Sequence, residues 1–509
     1  MENWRAYLLT GFIAMLFTLL FYHQLIGLNL LVFELVLLPI VIWHAPVGTF
    51  TTNGWIITTG VAATAIFTFV HASSFVITMN LVALFLWIGW LLLPNGRSMV
   101  SFAGLAFGNL ILAQVNAFNR ALAGRNNYRR TQHRIRQAAY LILPLFLILF
   151  FIVIYRVSNP HFAIILDKIL SYPDKWLNLL WPYVNFSLTC VMVLGIFTAV
   201  LFVFRKRNEM IPAWDVQTNE NLYRQRREGV APSFRMLALK NEYRAGVFLL
   251  IILNLLILLQ NVLDIWYVWF QFEWNGEYLR QFVHEGTYLL ILSILISIGI
   301  ILWLYRGNLN FFPGNRILRS LSYAWLIQNM ILVVSVAIRN GWYINYFALA
   351  YKRIGVFIFL VLTLVGLITV LIKVSRHKTP FYILRVNSLA AFILLVVTSL
   401  VNWDVVIARY NFAQYERSFV HLDWLCTLSD KALPFLDKSN AELAKIRQVQ
   451  DRNFTFDHRY MSPEKYHEII QQRKRDFIRD WNQRSILSFN MADYKAYLQL
   501  TGLVSKPQP

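Results

Sequence analysis

Hydrophobic runs separated by short polar connections fill most of the chain before residue 402. A helix rises about 1.5 Å per residue and a bilayer core is about 30 Å thick, so a transmembrane helix needs roughly twenty mostly apolar residues. The candidate spans are Tyr7–Tyr22, Leu25–Trp43, Trp55–Val70, Ser74–Leu93, Phe102–Phe118, Ala138–Tyr155, Val184–Phe204, Ala245–Phe270, Thr287–Tyr305, Ile317–Ile338, Ile354–Val374 and Tyr382–Val401. The pattern therefore predicts an all-α polytopic transmembrane helix bundle of about 11–12 spans.

The fifth of these runs is the most polar. It contains two glycines and three side-chain amides, namely Gly104, Gly108, Asn109, Gln114 and Asn116. Such a segment crosses the membrane, re-enters it from one side, or lies in the interface. If it crosses, both chain termini lie outside the cell; if it does not, the N-terminus is cytoplasmic.

Basic residues concentrate in four alternate connections, Arg120–Arg136, Arg205–Arg244, Arg306–Arg319 and Lys373–Arg385. Cytoplasmic loops of membrane proteins carry an excess of Lys and Arg. One orientation places all four connections in the cytoplasm, and it places everything after Asn402 outside. Binding of anionic lipid head groups or of nucleic acid is the alternative interpretation of Arg120–Arg136.

Composition agrees with a protein that contacts lipid. The chain is 58% hydrophobic and only 14% charged, whereas soluble domains are about a quarter charged. The net charge of +21 follows from the basic connections, so we expect membrane lipids and no nucleic acid as partners. Cys190 and Cys426 lie in an apolar run and in the polar tail, and no metal or cofactor motif is present in the sequence.

After Asn402 the chain becomes polar and rich in both charges. Ser439 and Glu442 form a capping-box pattern, and Ser462 followed by Pro463 is typical of a second helix start. We therefore expect a small helical extracytoplasmic domain that docks an envelope partner. The predicted organisation is 1–136 for N-terminal helices and a basic loop, 137–401 for the C-terminal bundle, and 402–509 for the tail.

Polar residues inside the predicted spans are candidates for function, because they are costly in lipid. They are Glu34, Asn254, Asn261 and Gln328. For Glu34, a proton- or cation-coupled role and a structural hydrogen bond are both open. The amides either join neighbouring helices or line a conduction pathway.

A second group of candidates is charged and lies at the outer ends of the later spans. Its members are Asp264, Glu285, Arg339, Lys352, Arg353 and Asp404. Lys352 and Arg353 form a basic pair where the topology rule disfavours one, so neighbouring acids are expected to neutralise it. We expect an outer-face ion-paired network, which has either a functional role or a purely structural one.

Three segments carry a resemblance to a known family. They read EYLRQFVHEGTYLLILS from Glu277, GWYINYFALAYKRIGVFIFLVLTLVGL from Gly341 and NWDVVIARYNF from Asn402, followed by HLDWL from His421. This combination resembles the bacterial multi-pass membrane proteins called domain of unknown function 4153 or the related 4173. The resemblance implies a bacterial inner-membrane protein, and it implies neither a substrate nor an active site.

Two classes of function remain open. The favoured one is a non-enzymatic inner-membrane protein, either a carrier or an envelope sensor or scaffold. The alternative is a transferase acting on a lipid-linked substrate at the outer face, using Arg339, Lys352, Arg353, His284, Glu285 and Asp404. A carrier predicts that the intramembrane polar residues line one cavity, and the sequence gives no basis for an oligomeric state.

Overall fold

A computed structural model describes residues 3–43, 51–122, 165, 168, 186–224, 232–270, 276–454 and 461–503. The candidate span Ala138–Tyr155 and most of Arg120–Arg136 lie outside the described residues. Within the described part, nine helices are long and apolar enough to cross a membrane, and two shorter apolar helices, Leu28–Trp43 and Ser187–Val203, accompany them. The prediction of an all-α polytopic bundle is confirmed.

The chain forms two compact units. Unit 1 comprises Met1–Gln217 together with the tail segment Arg484–Ala492, and unit 2 comprises Thr218–Gln483 and Asp493–Pro509. The three-part organisation predicted from composition, 1–136, 137–401 and 402–509, stays a prediction.

Unit 1 is built from apolar helices. They are α1 (Asn3–Phe21), α2 (Leu28–Trp43), α3 (Thr52–His71), α4 (Ser74–Leu92), α5 (Met99–Leu122), α6 (Phe186–Val203) and the short α7 (Met210–Gln217). Thr51 is the N-cap of α3. Its hydroxyl accepts a hydrogen bond from the Gly54 amide and donates one to the carbonyl of Pro94 at 2.9 Å. The start of α3 therefore lies beside the end of α4. We call this side of unit 1 the Leu92 end.

Both ends of α5 lie at the Leu92 end. Its first turn packs on the last turn of α4, where a Cβ on Gly89 would overlap the carbonyl oxygen of Phe102. Its last turn lies beside the start of α1, since the Tyr7 hydroxyl donates to the carbonyl of Ala117 at 2.9 Å. The Tyr7 ring is also 5.0 Å from the ring of Phe204, which directly follows α6.

The middle and the last part of α5 contact the segment that follows α6, from Phe204 to Lys206. The Asn116 amide donates to the Phe204 carbonyl at 2.9 Å, and Asn109 accepts from the backbone amide of Lys206 at 3.0 Å. Seven helical residues rise about 10 Å, yet both side chains reach the same short segment. The Asn109 and Gln114 amides also donate to the carbonyls of Leu201 and Phe197 within α6. Helix α5 therefore crosses the last two turns of α6. The length and hydropathy of α5 suit a span, and whether the fifth apolar run crosses the membrane stays a prediction.

Unit 2 contains five long apolar helices among the described residues. They are α8 (Pro232–Asp264), which continues as a π-helix (Ile265–Phe270), α9 (Gly276–Leu304), α10 (Arg316–Phe347), α11 (Tyr351–Arg376) and α12 (Pro380–Thr398). Their inward sides form one hydrophobic core that includes Leu250, Ile294, Ile301, Leu326, Val336 and Leu367. Large apolar side chains such as Leu255 and Leu289 remain exposed, as lipid-facing positions do.

The described parts of the basic connections in unit 2 meet at one end. Arg306 pairs with Glu242 at 3.7 Å, and Arg385 pairs with Glu220 at 2.6 Å. Lys378 lies in the same place, where it forms an isolated antiparallel bridge with Asn221. We call this the Lys378 end. That it faces the cytoplasm stays a prediction.

The tail of unit 2 packs at the opposite end. It contains α13 (Trp403–Ala413), the short α14 (Leu422–Leu425) and α15 (Leu433–Leu436), α16 (Asn440–Asn453), α17 (Pro463–Asn482) and α18 (Met491–Leu500). The predicted capping box of Ser439 and Glu442 opens α16, and Ser462 caps α17. Buried Tyr466 and Leu425 share one hydrophobic core with Ile354 of α11 and Ile407 of α13.

Candidate functional site

Two of the predicted outer-face residues form a buried ion pair. Arg339 of α10 donates to Asp264 at the end of α8, with 2.5 Å between Nη2 and Oδ1. The other carboxylate oxygen of Asp264 accepts from Ser335 at 2.6 Å, and Gln260 donates to the first at 2.8 Å. Both carboxylate oxygens of Asp264 therefore accept hydrogen bonds from side chains of α8 and α10, directly before the π-helix begins.

Arg353 lies elsewhere and contacts backbone instead of an acid. Its Nη1 donates to the carbonyl of Phe347 at 2.5 Å and to that of Ala348, which follows the last turn of α10. Its guanidinium also lies over the ring of Tyr343, 4.5 Å from the centroid. Cations stabilise helix C-termini, where carbonyl groups lack partners. Arg353 thus joins the start of α11 to the end of α10.

Asp404 forms a separate cluster with the tail. It accepts hydrogen bonds from the hydroxyl of Tyr351 and, at 2.5 Å, from that of Ser429. The carboxylate thereby joins α13 to α11 and to the part of the tail that contains Ser429. It lies in the first turn of α13, where the helix dipole favours negative charge.

The predicted outer-face residues thus belong to distinct groups in the structure. Asp264 and Arg339 pair with each other, Asp404 contacts Tyr351 and Ser429, and Arg353 caps α10. The side chains of His284 and Glu285, on α9, lie outside the described residues.

A cavity of about 120 Å³ lies beside the ion pair. Residues of α9, α10 and α11 line it: Thr287, Tyr288, Asn340, Tyr343, Ala350, Lys352, Arg353 and Val356. It adjoins the ion pair because Arg339 precedes Asn340, and a Cβ on Gly286 would lie 3.8 Å from Nη1 of Arg339. The basic pair predicted from the sequence therefore faces a cavity at the tail end of unit 2.

The three intramembrane amides join α8 to α10. Gln328 donates to Asn254 at 2.7 Å, and Asn261 donates to the backbone carbonyl of Gln328 at 3.0 Å. Asn254 also donates to the carbonyl of Leu321 at 3.1 Å. They line neither the cavity beside the ion pair nor the smaller pocket between Val420 and Pro463. The arrangement is that of polar contacts between packed helices.

Glu34 is buried in unit 1, with 1% of its surface exposed. Its carboxyl group lies beside the side chain of Asn80 on α4, although no hydrogen bond of normal geometry joins them. Asn80 itself donates to the hydroxyl of Thr64 at 3.2 Å. Glu34 and the three amides thus belong to different units.

Sequence reasoning missed three buried polar residues. Asp215 of α7 accepts from Ser101 at 2.5 Å and from the Arg97 amide at 3.0 Å. Lys373, 1% exposed, donates to the carbonyl of Tyr305 at 3.0 Å. Thr287 is 5% exposed and its hydroxyl has no hydrogen-bond partner among the described residues. The sequence gives no local signal that separates Asp215 from the other acids of its connection, or Lys373 and Thr287 from their neighbours.

Among the described residues, no group of three or more His, Cys, Asp or Glu side chains is placed to hold a metal ion. No curated protein and no solved structure is significantly similar to the chain. A family model does match: domain of unknown function 4153 covers residues 13–439, most of the chain, and the protein therefore belongs to that family.

Proposed function

We propose that this protein is a non-enzymatic multi-pass protein of the bacterial inner membrane that serves as a sensor or scaffold of the envelope. Its tail is the part that engages a partner, on the extracytoplasmic side. The observation that carries the proposal is a hydrophobic core shared by the tail and the end of α11. In this core Tyr466, Leu425 and Ile407 of the tail pack with Ile354 of α11.

This shared core couples the tail to the membrane helices mechanically. A tail that was only tethered would need no buried contacts with α11. Asp404, itself in the tail, adds a polar contact across the same boundary by accepting a hydrogen bond from Tyr351 on α11. Displacement of the tail by a partner would therefore reach the spans, as a sensor or scaffold requires.

The tail also offers a surface to a partner. Helix α17 buries Tyr466, Ile470 and Phe477, while its opposite side exposes Glu468 and Arg475. The exposed side carries both charges, which suits a protein surface of mixed charge better than a uniformly anionic membrane surface.

The carrier interpretation has less support. It expects Glu34, Asn254, Asn261 and Gln328 to line one cavity, but the three amides bond to each other's helices. A cysteine at each of these four positions tests it. We expect all four to resist a water-soluble thiol reagent, with Lys352→Cys as the reactive control. Reactivity at the four positions would support an aqueous pathway and contradict the proposal.

The partner is tested by photo-crosslinking in cells. A photoreactive residue at Gln472, on the exposed side of α17, should capture one protein, whereas the same residue at lipid-facing Leu289 should not. The charge reversals Glu468→Lys and Arg475→Glu should remove the crosslink without changing the unfolding temperature. A crosslink that survives both reversals would contradict a docking role for this surface.

A transferase remains the second candidate, because Lys352 and Arg353 line a cavity at the end of the spans. Such an enzyme needs a general acid or base within reach of its substrate. The described lining residues include neither a carboxylate nor a histidine, so His284 and Glu285 would have to supply it. Turnover of a lipid-linked substrate that is lost in Glu285→Gln would favour this candidate over a scaffold.

A further inference from the structure

The cavity between α9, α10 and α11 is lined by side chains that donate hydrogen bonds. Lys352 and Arg353 contribute an ammonium and a guanidinium group, and Thr287 contributes a hydroxyl. No carboxylate is among the described lining residues. A concave surface of this kind attracts an anion, since a charge-assisted hydrogen bond is about twice as strong as a neutral one.

Thr287 supplies an independent indication of a ligand. Its side chain is 5% exposed, and its Oγ1 has no hydrogen-bond partner among the described residues. Threonines in helices commonly bond to a preceding carbonyl, and buried polar groups without a partner are rare. A ligand oxygen inside the cavity would provide the missing partner.

The two neighbouring side chains are held in place by the fold. Arg353 is fixed by its bonds to the carbonyls of Phe347 and Ala348. Asn340, 4% exposed, donates to the backbone carbonyl of Arg353 at 2.9 Å. The Arg353 side of the cavity is therefore positioned before any ligand arrives, which lowers the entropic penalty of binding, while Lys352 is exposed and supplies a second cation at the rim.

The size and location of the cavity indicate the rest of the ligand. At about 120 Å³ it is smaller than the roughly 300–1,000 Å³ of sites that enclose a whole small molecule. It lies where the spans Gly286–Leu304 and Tyr351–Arg376 begin. Val356 adds an apolar wall, and the neighbouring Tyr288 and Phe357 are exposed on the side of the helices that faces lipid.

We propose that this cavity binds the phosphate head group of a membrane-embedded amphiphile, whose acyl or isoprenyl chains lie against α9 and α11. Lys352 and Arg353 contact the phosphate oxygens, and Thr287 donates its hydroxyl to one of them. The inference goes beyond the proposed function, because a sensor, a scaffold and a transferase could each hold such a lipid.

Binding is measured on the full-length protein in a neutral detergent. The probes are dihexanoyl phosphatidic acid, inorganic phosphate and dihexanoyl phosphatidylcholine. We expect phosphatidic acid to bind more tightly than either of the others, because only it combines an exposed phosphate monoester with acyl chains. Equal affinity for inorganic phosphate would show a site for the free ion and overturn the lipid assignment.

Variants locate the site. Lys352→Gln should weaken phosphatidic acid binding about tenfold, and Thr287→Val about threefold, since each removes one contact to the phosphate. Arg306→Gln is the matched control, because Arg306 is an exposed cation at the Lys378 end; it should leave the affinity unchanged. Unfolding temperatures of all three variants show that they fold, and Arg353 is left intact because it also caps α10.

Two results would overturn the proposal. One is an affinity of Lys352→Gln equal to that of Arg306→Gln, which would mean that the probe binds elsewhere. The other is tighter binding of phosphatidylcholine than of phosphatidic acid in the unchanged protein, which would mean that the acyl chains alone determine affinity.

Discussion

Arg339 and Asp264 form an ion pair at 2.5 Å in which each side chain is 4% exposed. Removing one partner leaves a buried charge without compensation, which typically costs 3–5 kcal/mol. We therefore expect Asp264→Asn and Arg339→Gln each to lower the free energy of unfolding by about 3–5 kcal/mol. The double variant should lose less than the sum of the two. Denaturant unfolding in detergent measures all three.

The exposed pair Arg306–Glu242 is the control for that experiment. Its nitrogen–oxygen distance is 3.7 Å and its side chains are 55% and 35% exposed. Exposed pairs contribute about 0–1 kcal/mol, so Arg306→Gln should change stability by less than about 1 kcal/mol. Equal effects at both pairs would show that burial of the Asp264 pair does not matter for folding.

Gly27 permits close approach of the tail segment Arg484–Ala492 within unit 1. The amide of Leu28 donates to the Phe489 carbonyl at 2.8 Å, and a Cβ on Gly27 would lie 2.5 Å from the same oxygen. Gly27→Ala should therefore displace this segment and speed hydrogen exchange of residues 484–492. Gly11→Ala, where no atom lies within 4 Å of the added Cβ, should not. Unchanged exchange in Gly27→Ala would mean that the segment does not depend on this contact.

Glu34 should tolerate loss of its charge. It is 1% exposed, with the Asn80 amide as its neighbour, and a buried charge without a counter-charge is costly. Glu34→Gln has nearly the same shape and should retain the expression level and unfolding temperature, whereas Glu34→Lys should lose both. A large loss in Glu34→Gln would instead indicate that the carboxylate itself is required.

Periodicity places two of the intramembrane amides on one face of α8. Asn254 and Asn261 are seven residues apart, so they share a helix face, and both reach α10. Glu34 was selected as a candidate because a polar group is costly in lipid, and the structure buries it. Such patterns report which side of a helix is enclosed, because burial repeats with the helical period.

What periodicity does not report is which helices become neighbours. The cavity combines Thr287 with Lys352, from helices far apart in sequence, and no local pattern links them. The outer-face acids and bases were predicted to form one network, whereas Arg353 donates to the backbone carbonyl of Phe347. Partner choice depends on tertiary packing, which also decided that α5 crosses the end of α6.

The tail should lose stability in alkali through Tyr466. Burial raises the pKa of its phenol, and its hydroxyl donates to the Leu436 carbonyl at 3.1 Å. A folded-state pKa above the unfolded value stabilises the fold fully below about pH 10, the ordinary phenol pKa, and this stability is lost as the pH rises further. Hydrogen exchange of α17 should therefore quicken above about pH 10, and less so in Tyr466→Phe. Identical alkaline profiles would assign the transition to other groups.

Cys426 can report which side of the membrane holds the tail. Burial raises the pKa of its thiol, an effect that Arg473 partly opposes, so the reactive thiolate is scarce at neutral pH. In a Cys190→Ser background, a membrane-impermeant maleimide should label Cys426 in intact cells slowly at pH 7 and faster at pH 8.5. Cys426→Ser in the same background should show no labelling. Labelling that appears only after the cells are permeabilised would place the tail in the cytoplasm, and the basic connections at the Lys378 end would then lie outside.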